Sequence, residues 1–179
     1  LGIQASNRGD LVEAKKRYQQ SIRRDENFVP ARVNLADLVN REGDKVQAER
    51  LYREVTKLMP EWGDGFYHLG MLVGENPGRL KEASDIFKIA AKKMPEHPRV
   101  HYNLGISLWK LGEKARGAQS IIQAGKIDPT NPEYPSGLAQ FYVEDKNWRA
   151  ALPHAQRAAD LMPANRLVRD RLFEIKRML

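Results

Sequence analysis

The sequence has no cysteine among its 179 residues, so it can form neither disulfide bonds nor cysteine-based metal sites, and it offers no thiol nucleophile. This absence leaves the compartment open, because a cysteine-free chain suits the cytosol and the periplasm equally. No apolar run approaches the roughly 20 residues that a transmembrane helix requires. We therefore predict no membrane span and assign no localisation.

Sequence motifs of catalysis are also missing. No glycine-rich phosphate loop followed by Lys-Ser or Lys-Thr is present, and no serine stands in a Gly-x-Ser-x-Gly setting. His97 and His101 are four residues apart, but Pro98 starts a predicted helix between them. Their rings then point in different directions, so a shared metal ion is not expected. The sequence predicts no enzyme activity, no cofactor and no metal site within this segment.

What the sequence does contain is a repeated unit, which is clearest over residues 101–129. Apolar residues at helical spacing predict two amphipathic helices joined by a Leu-Gly-Glu turn and closed by Asp128-Pro129. Gly105 lies on the first helix of the pair and Gly117 on the second. Because Gly105 has no side chain, we expect the second helix to approach the first closely at this point.

The unit recurs at steps of 34 or 35 residues. The first series of small residues is Gly2, Ala36, Gly70, Gly105 and Ala139. A leucine precedes each of them, at Leu1, Leu35, Leu69, Leu104 and Leu138, and Leu172 continues that series. The second helices carry small residues at Ala14, Ala48, Ala83, Gly117 and Ala151, and the closing prolines are Pro60, Pro95, Pro129 and Pro163. This agreement predicts an array that grows by stacking and has no single globular core.

A helix–turn–helix period of about 34 residues that carries Leu-Gly, then alanine, an aromatic residue, alanine and proline resembles the tetratricopeptide repeat (TPR) pattern. The resemblance covers essentially the whole chain and implies about five repeats. It implies an all-α fold, a right-handed superhelical α-solenoid of antiparallel helix pairs with about eleven helices. We divide the single array over 1–179 into a partial repeat at 1–26, repeats at 27–60, 61–95, 96–129 and 130–163, and a C-terminal capping helix at 164–179.

Three positions modify this pattern. The sequence begins at Leu1 inside a predicted helix, so we expect a fragment of a longer protein whose apolar N-terminal edge allows self-association. Pro153 falls inside a predicted helix, where proline normally costs about 3 kcal/mol, so we expect a local bend or a delayed helix start. Phe173 stands where earlier repeats have glycine or alanine, which favours a capping helix without a partner helix behind it.

The resemblance also implies a function, because the first helices of TPR pairs line a concave groove that binds a peptide segment of a partner protein. Asn34 and Asn103 directly precede repeated leucines and point into that groove, where an amide can both donate to and accept from a peptide backbone. The lysine, asparagine and arginine set that clamps a terminal carboxylate in some TPR proteins is not matched. We centre the groove on the third and fourth repeats. Its predicted residues are Asn34, Asp37, Arg41, Tyr67, His68, Met71, Arg99, Tyr102, Asn103, Ile106, Trp109, Lys110 and Gln140.

Three alternatives stay open at this point. Tyr67 and Tyr102 could serve only to pack neighbouring first helices together. The chain carries a net charge of +7, and much of the basic excess lies on second helices: Lys15, Lys16, Arg17, Arg23, Arg24, Lys81, Lys88, Lys92 and Lys93. We interpret these residues as a solvated convex face and do not expect nucleic acid as the partner, but weak binding of nucleic acid or acidic surfaces is the alternative. The segment could also regulate a catalytic domain that lies outside it.

Overall fold

The structure is a computed structural model that describes residues 10–179. The helix predicted in residues 1–8, and the edge predicted there for self-association, lie outside the described residues. The helices are α1 (Leu11–Arg24), α2 (Val29–Arg41), α3 (Lys45–Leu58), α4 (Gly63–Gly74), a 3₁₀ turn (Pro77–Arg79), α5 (Leu80–Lys93), α6 (Pro98–Lys110), α7 (Lys114–Ile127), α8 (Glu133–Glu144), α9 (Trp148–Leu161) and α10 (Arg166–Arg177). Over residues 10–179 there is no strand, so the predicted all-α fold is confirmed.

The chain divides into two compact units, Leu1–Met94 and Pro95–Leu179. In the described part of the first unit, α2 packs against α3 and α4 packs against α5. In the second unit, α6 packs against α7, α8 against α9, and α10 against α9. Each pair consists of helices joined by a short turn, and Gly43 and Gly112 supply the positive φ angles (91° and 84°) that two of these turns require. The subdivision into repeats stays a prediction.

The α6–α7 pair has the close approach that the sequence predicts at Gly105. A Cβ atom added to Gly105 would lie 2.5 Å from Cγ1 of Ile121 and 2.7 Å from the backbone oxygen of Gly117. A Cβ atom on Gly117 would lie 2.8 Å from the backbone oxygen of Gly105. The two helices therefore meet backbone to backbone, which only glycine allows at both positions.

Helix α9 differs from one of our expectations, because it begins at Trp148 and runs through Pro153 without a delayed start. Asn147 caps it, its side chain accepting a hydrogen bond from the backbone N–H of Ala150 at 3.2 Å. Ala151 and Ala155, on either side of the proline, are buried, whereas Pro153 itself is exposed. The cap and the buried alanines hold the helix in place despite the hydrogen bond that proline cannot donate.

Helix α10 packs through one face. Ile175 is fully buried in a cluster with Ala139, Ala151 and Ala155. Phe173 is 65% exposed and does not pack into that cluster. This arrangement agrees with a capping helix, since one face of α10 completes the core of its unit and the residue at the glycine/alanine position is left exposed.

Candidate functional site

The first unit carries six of the predicted groove residues on its first helices. We call the set Asn34, Asp37 and Arg41 of α2 with Tyr67, His68 and Met71 of α4 the α2–α4 face. Asn34 is half-buried, and its side-chain amide forms no hydrogen bond with any of the described residues. Arg41 is exposed and forms no ion pair within residues 10–179. These two side chains can therefore take new partners.

Asp37 and His68 are joined through a buried tyrosine. The hydroxyl of Tyr52, in α3, donates a hydrogen bond to Oδ1 of Asp37. The Tyr52 ring stacks on His68, with ring centroids 5.6 Å apart and planes at 6°. Burial, and then the hydrogen bond to Asp37, raise the pKa of Tyr52 well above its ordinary value, so the hydroxyl keeps its proton. The link holds α2, α3 and α4 in a common arrangement beneath the α2–α4 face.

An apolar pocket of about 370 Å³ adjoins Asn34. We call it the α2 pocket; it is lined by Val29, Pro30, Val33 and Asn34 of α2 and by Met59 and Trp62 from the connection between α3 and α4. Besides the indole N–H of Trp62, the Asn34 amide provides the only polar side-chain group of this described lining. An amide beside an apolar cavity suits a peptide, because the cavity can hold a side chain while the amide pairs with the peptide backbone.

The second unit places the predicted aromatic residues differently. Tyr102 is 9% exposed and packs on Tyr134, with ring centroids 5.1 Å apart. Trp109 is 6% exposed and stacks on Phe141 at 5.0 Å and 11°. Burial raises the pKa of Tyr102. Most of the surface of both rings is buried inside the unit, so neither ring offers much contact area to a ligand. For Tyr102 this agrees with the alternative that it packs neighbouring first helices together.

The other predicted residues of the second unit retain some polar surface. Arg99 pairs with Glu133, and Nε2 of Gln140 donates to Oε1 of Glu144 at 2.8 Å. Lys110 is exposed and forms no ion pair with a described residue. Asn103, Ile106 and Gln140 are half-buried. The predicted groove residues of the second unit therefore offer less available apolar surface than the α2–α4 face.

Sequence reasoning predicted Asn34 but missed the other residues of the α2 pocket. Pro30 and Val33 lie four residues before Asn34 and Asp37, so helical periodicity on α2 already carried a signal for them. Met59 and Trp62 lie beyond the end of α3, where periodicity on α2 carries no information. Only the packing of the connection against α2 brings them to the pocket.

Five of the nine basic residues named above on the second helices are ion-paired. The pairs are Lys15–Glu42, Arg17–Glu13, Lys81–Asp85, Lys88–Asp85 and Lys93–Glu61. Hydrogen bonds from Lys81 and Lys88 lower the pKa of Asp85, so that carboxylate stays charged. These pairs neutralise part of the charge that the nucleic-acid alternative requires.

A further charged network joins α3 to the start of α5. Arg79 forms hydrogen bonds with both carboxylate oxygens of Glu49 at 2.7 Å, and Arg53 contacts Glu49 and Glu82. The hydrogen bonds from Arg79 are the main reason that the pKa of Glu49 is lowered to about 2. The network ties neighbouring second helices together, so we interpret it as structural.

No cluster of three or more histidine, aspartate or glutamate residues suited to a metal ion occurs among residues 10–179. The described helices also include none with the length and apolarity needed to cross a bilayer.

Comparison with known proteins points to one family. Residues 78–132 match the tetratricopeptide repeat family model. Human Protein O-mannosyl-transferase TMTC3 is 22% identical over 182 residues, covering 93% of this chain and 20% of its own length. The peroxisomal targeting signal receptor of Saccharomyces cerevisiae is 30% identical over 79 residues, covering 44% of this chain and 13% of its own. The chain therefore spans a fifth or less of the length of these two relatives.

A solved structure supports the same conclusion at the level of the fold. YrrB, described as a TPR protein with an unusual peptide-binding site, superposes with a TM-score of 0.80 at 18% sequence identity. The similarity covers 94% of this chain and 87% of that chain. Residues 78–132 therefore match the tetratricopeptide repeat family, and the chain has the fold of tetratricopeptide repeat proteins.

Proposed function

We propose that this chain is a non-catalytic protein-interaction module that binds an extended segment of a partner protein, with the α2–α4 face as its main contact surface. The observation that carries the proposal is the α2 pocket beside Asn34. Its volume of about 370 Å³ and its apolar lining suit one large apolar side chain of the ligand. Burying such a side chain contributes about 1.5–3 kcal/mol, which makes the pocket an anchor.

Polar groups along α2 suit the same ligand. The Asn34 amide can donate to a peptide carbonyl and accept from a peptide N–H at once. Arg41, exposed and without an ionic partner among the described residues, can pair with an acidic group of the ligand. The Asp37 carboxylate lies on the same helix, held by the hydrogen bond from the Tyr52 hydroxyl. Charges of both signs on one face favour one orientation of the ligand more than they raise its affinity.

The comparisons support this kind of partner. YrrB is described as having a peptide-binding site, and the yeast relative is named as the receptor of a targeting signal. The transferase name belongs to TMTC3 as a whole, of which this chain covers 20%. We assign no catalysis to this segment. If it lies in a transferase, its role there is to hold a protein partner.

The proposal can be tested with peptides selected from a phage-displayed random library and then synthesised. Val33→Glu places a charge in the α2 pocket, and Asn34→Ala removes the amide. Each should weaken peptide binding at least about tenfold in isothermal titration, the equivalent of about 1.4 kcal/mol. Val46→Glu is the matched control, because Val46 is 84% exposed and lies outside the α2 pocket.

Two results would contradict the proposal. One is that the selected peptides bind Val33→Glu and Asn34→Ala as they bind the wild type. The other is that reversing the charges of Lys92 and Lys93 on α5 abolishes binding, which would move the site to the second helices. Salt-sensitive binding of a labelled oligonucleotide at physiological ionic strength, in place of peptide binding, would favour the nucleic-acid alternative.

A further inference from the structure

The second unit contains a separate pocket that involves none of the predicted groove residues. It has a volume of about 170 Å³ and lies among α7, α8 and α9; we call it the α7–α9 pocket. Its floor consists of Ile121, Tyr134 and Leu138, which are 1%, 2% and 1% exposed. Ile122, His154 and Arg157 also line it and are more exposed. The pocket thus combines a buried apolar floor with polar groups that are more exposed to solvent.

The repeat register explains why a cavity exists at this place in the fourth repeat. Gly125 occupies the position that Thr56, Ala91 and Ala159 take in other repeats. A Cβ atom added to Gly125 would have only Tyr134 Cβ within 4 Å, at 3.9 Å. The missing side chain therefore leaves open space rather than allowing a close helix contact. Gly125 is unlike Gly105, where backbone atoms fill the space.

The pocket lining also differs from other repeats at Asp128. The equivalent residue is methionine in three other repeats, at Met59, Met94 and Met162. Asp128 is shorter than methionine, and its carboxylate accepts hydrogen bonds from the backbone and hydroxyl of Thr130. The pocket lining thus has a short, hydrogen-bonded side chain at this position.

The polar groups of the pocket are available to a ligand. His154 is half-buried and stacks on Tyr142, with ring centroids 5.8 Å apart. Burial lowers the pKa of His154, so near neutral pH its imidazole has one donor and one acceptor nitrogen. Nη2 of Arg157 donates to the backbone oxygen of Pro129 at 2.9 Å, and Arg157 forms no ion pair with another described residue. Both side chains can therefore hydrogen-bond to a neutral hydroxyl group.

We propose that the α7–α9 pocket binds the side chain of a tyrosine on the surface of a partner protein. A cavity of about 150 Å³ with aliphatic and aromatic walls holds one benzene ring, so about 170 Å³ suits a phenol ring. Ile121 and Leu138 contact the tyrosine ring, and the His154 imidazole forms a hydrogen bond with its hydroxyl. Tyrosine is enriched at protein interfaces because it combines a large apolar ring with one polar group. This site does not depend on the function proposed for the α2–α4 face.

The test is an NMR titration of the labelled protein with N-acetyl-tyrosinamide, N-acetyl-alaninamide and p-cresol. We expect saturable shifts of the Gly125, Leu138 and His154 amide signals with N-acetyl-tyrosinamide and p-cresol, but not with N-acetyl-alaninamide. Binding of p-cresol alone would overturn the proposal in favour of a free phenolic ligand, because the peptide backbone would then be excluded. Absence of shifts with all three probes would also overturn it.

Two variants locate the site. Gly125→Leu should fill the cavity and weaken binding of N-acetyl-tyrosinamide at least tenfold, while leucine supports the helix better than glycine does. Gln119→Leu adds the same side chain to an exposed position of α7 outside the pocket and should leave binding unchanged. Equal binding by Gly125→Leu and the wild type, or equal loss in both variants, would show that the probe binds elsewhere.

Discussion

Replacing Gly105 with alanine should loosen the α6–α7 pair, although alanine is the better helix former. In an open helix position the change from glycine to alanine gains about 0.5–1 kcal/mol. At Gly105 the new methyl group would meet Ile121 Cγ1 at 2.5 Å and the backbone oxygen of Gly117 at 2.7 Å. Such overpacking costs about 1–3 kcal/mol, and a backbone oxygen cannot move away without opening the pair. We expect a net loss of about 1–2 kcal/mol in the free energy of unfolding.

Gly125→Ala is the matched control, since it makes the same chemical change in α7 with no atom beyond its own helix closer than 3.9 Å. It should raise the free energy of unfolding by about 0.5–1 kcal/mol. Urea unfolding followed by far-UV circular dichroism compares both variants with the wild type. Because repeat arrays can open locally, hydrogen exchange of the α6 and α7 amides should be measured alongside the urea unfolding.

The reasoning requires that Gly105→Ala lower the free energy of unfolding and that Gly125→Ala raise it. A Gly105→Ala variant as stable as the wild type would show that the helices do not meet at this glycine. A Gly125→Ala variant as unstable as Gly105→Ala would show that the space beside Gly125 is filled, which would also contradict the α7–α9 pocket.

Three further predictions concern other parts of the chain. The pKa of Glu49 in the folded protein is about 2, which lies below its ordinary value of 4.5. The ionised carboxylate therefore stabilises the fold above about pH 4.5, and this stabilisation is lost as the pH falls towards 2. Glu49→Gln should flatten this part of the pH dependence of the melting temperature. Pro153→Ala should raise the free energy of unfolding by about 1–3 kcal/mol in urea titrations, because the carbonyl of Arg149 regains its helical partner. Asn147→Ala should lower it by about 1 kcal/mol through loss of the α9 cap, and no change would contradict that cap.

The helix pairs could be predicted from the sequence because the information for them is local. Leu104, Gly105 and Gly117 lie within one repeat, and the pair that they form needs no other part of the chain. The same spacing in the other repeats made the all-α fold predictable. It also showed which helices come first in each pair, and therefore which side chains to consider as groove residues.

The available binding surface could not be predicted in the same way. Tyr102 and Trp109 occupy groove positions by register, yet Tyr134 and Phe141 of α8 cover them. The α2 pocket needs Met59 and Trp62, which the connection after α3 brings to α2. The periodicity of one helix specifies which side chains share a face. Whether that face stays open depends on the size and direction of side chains in the neighbouring repeat, so only tertiary packing decided it.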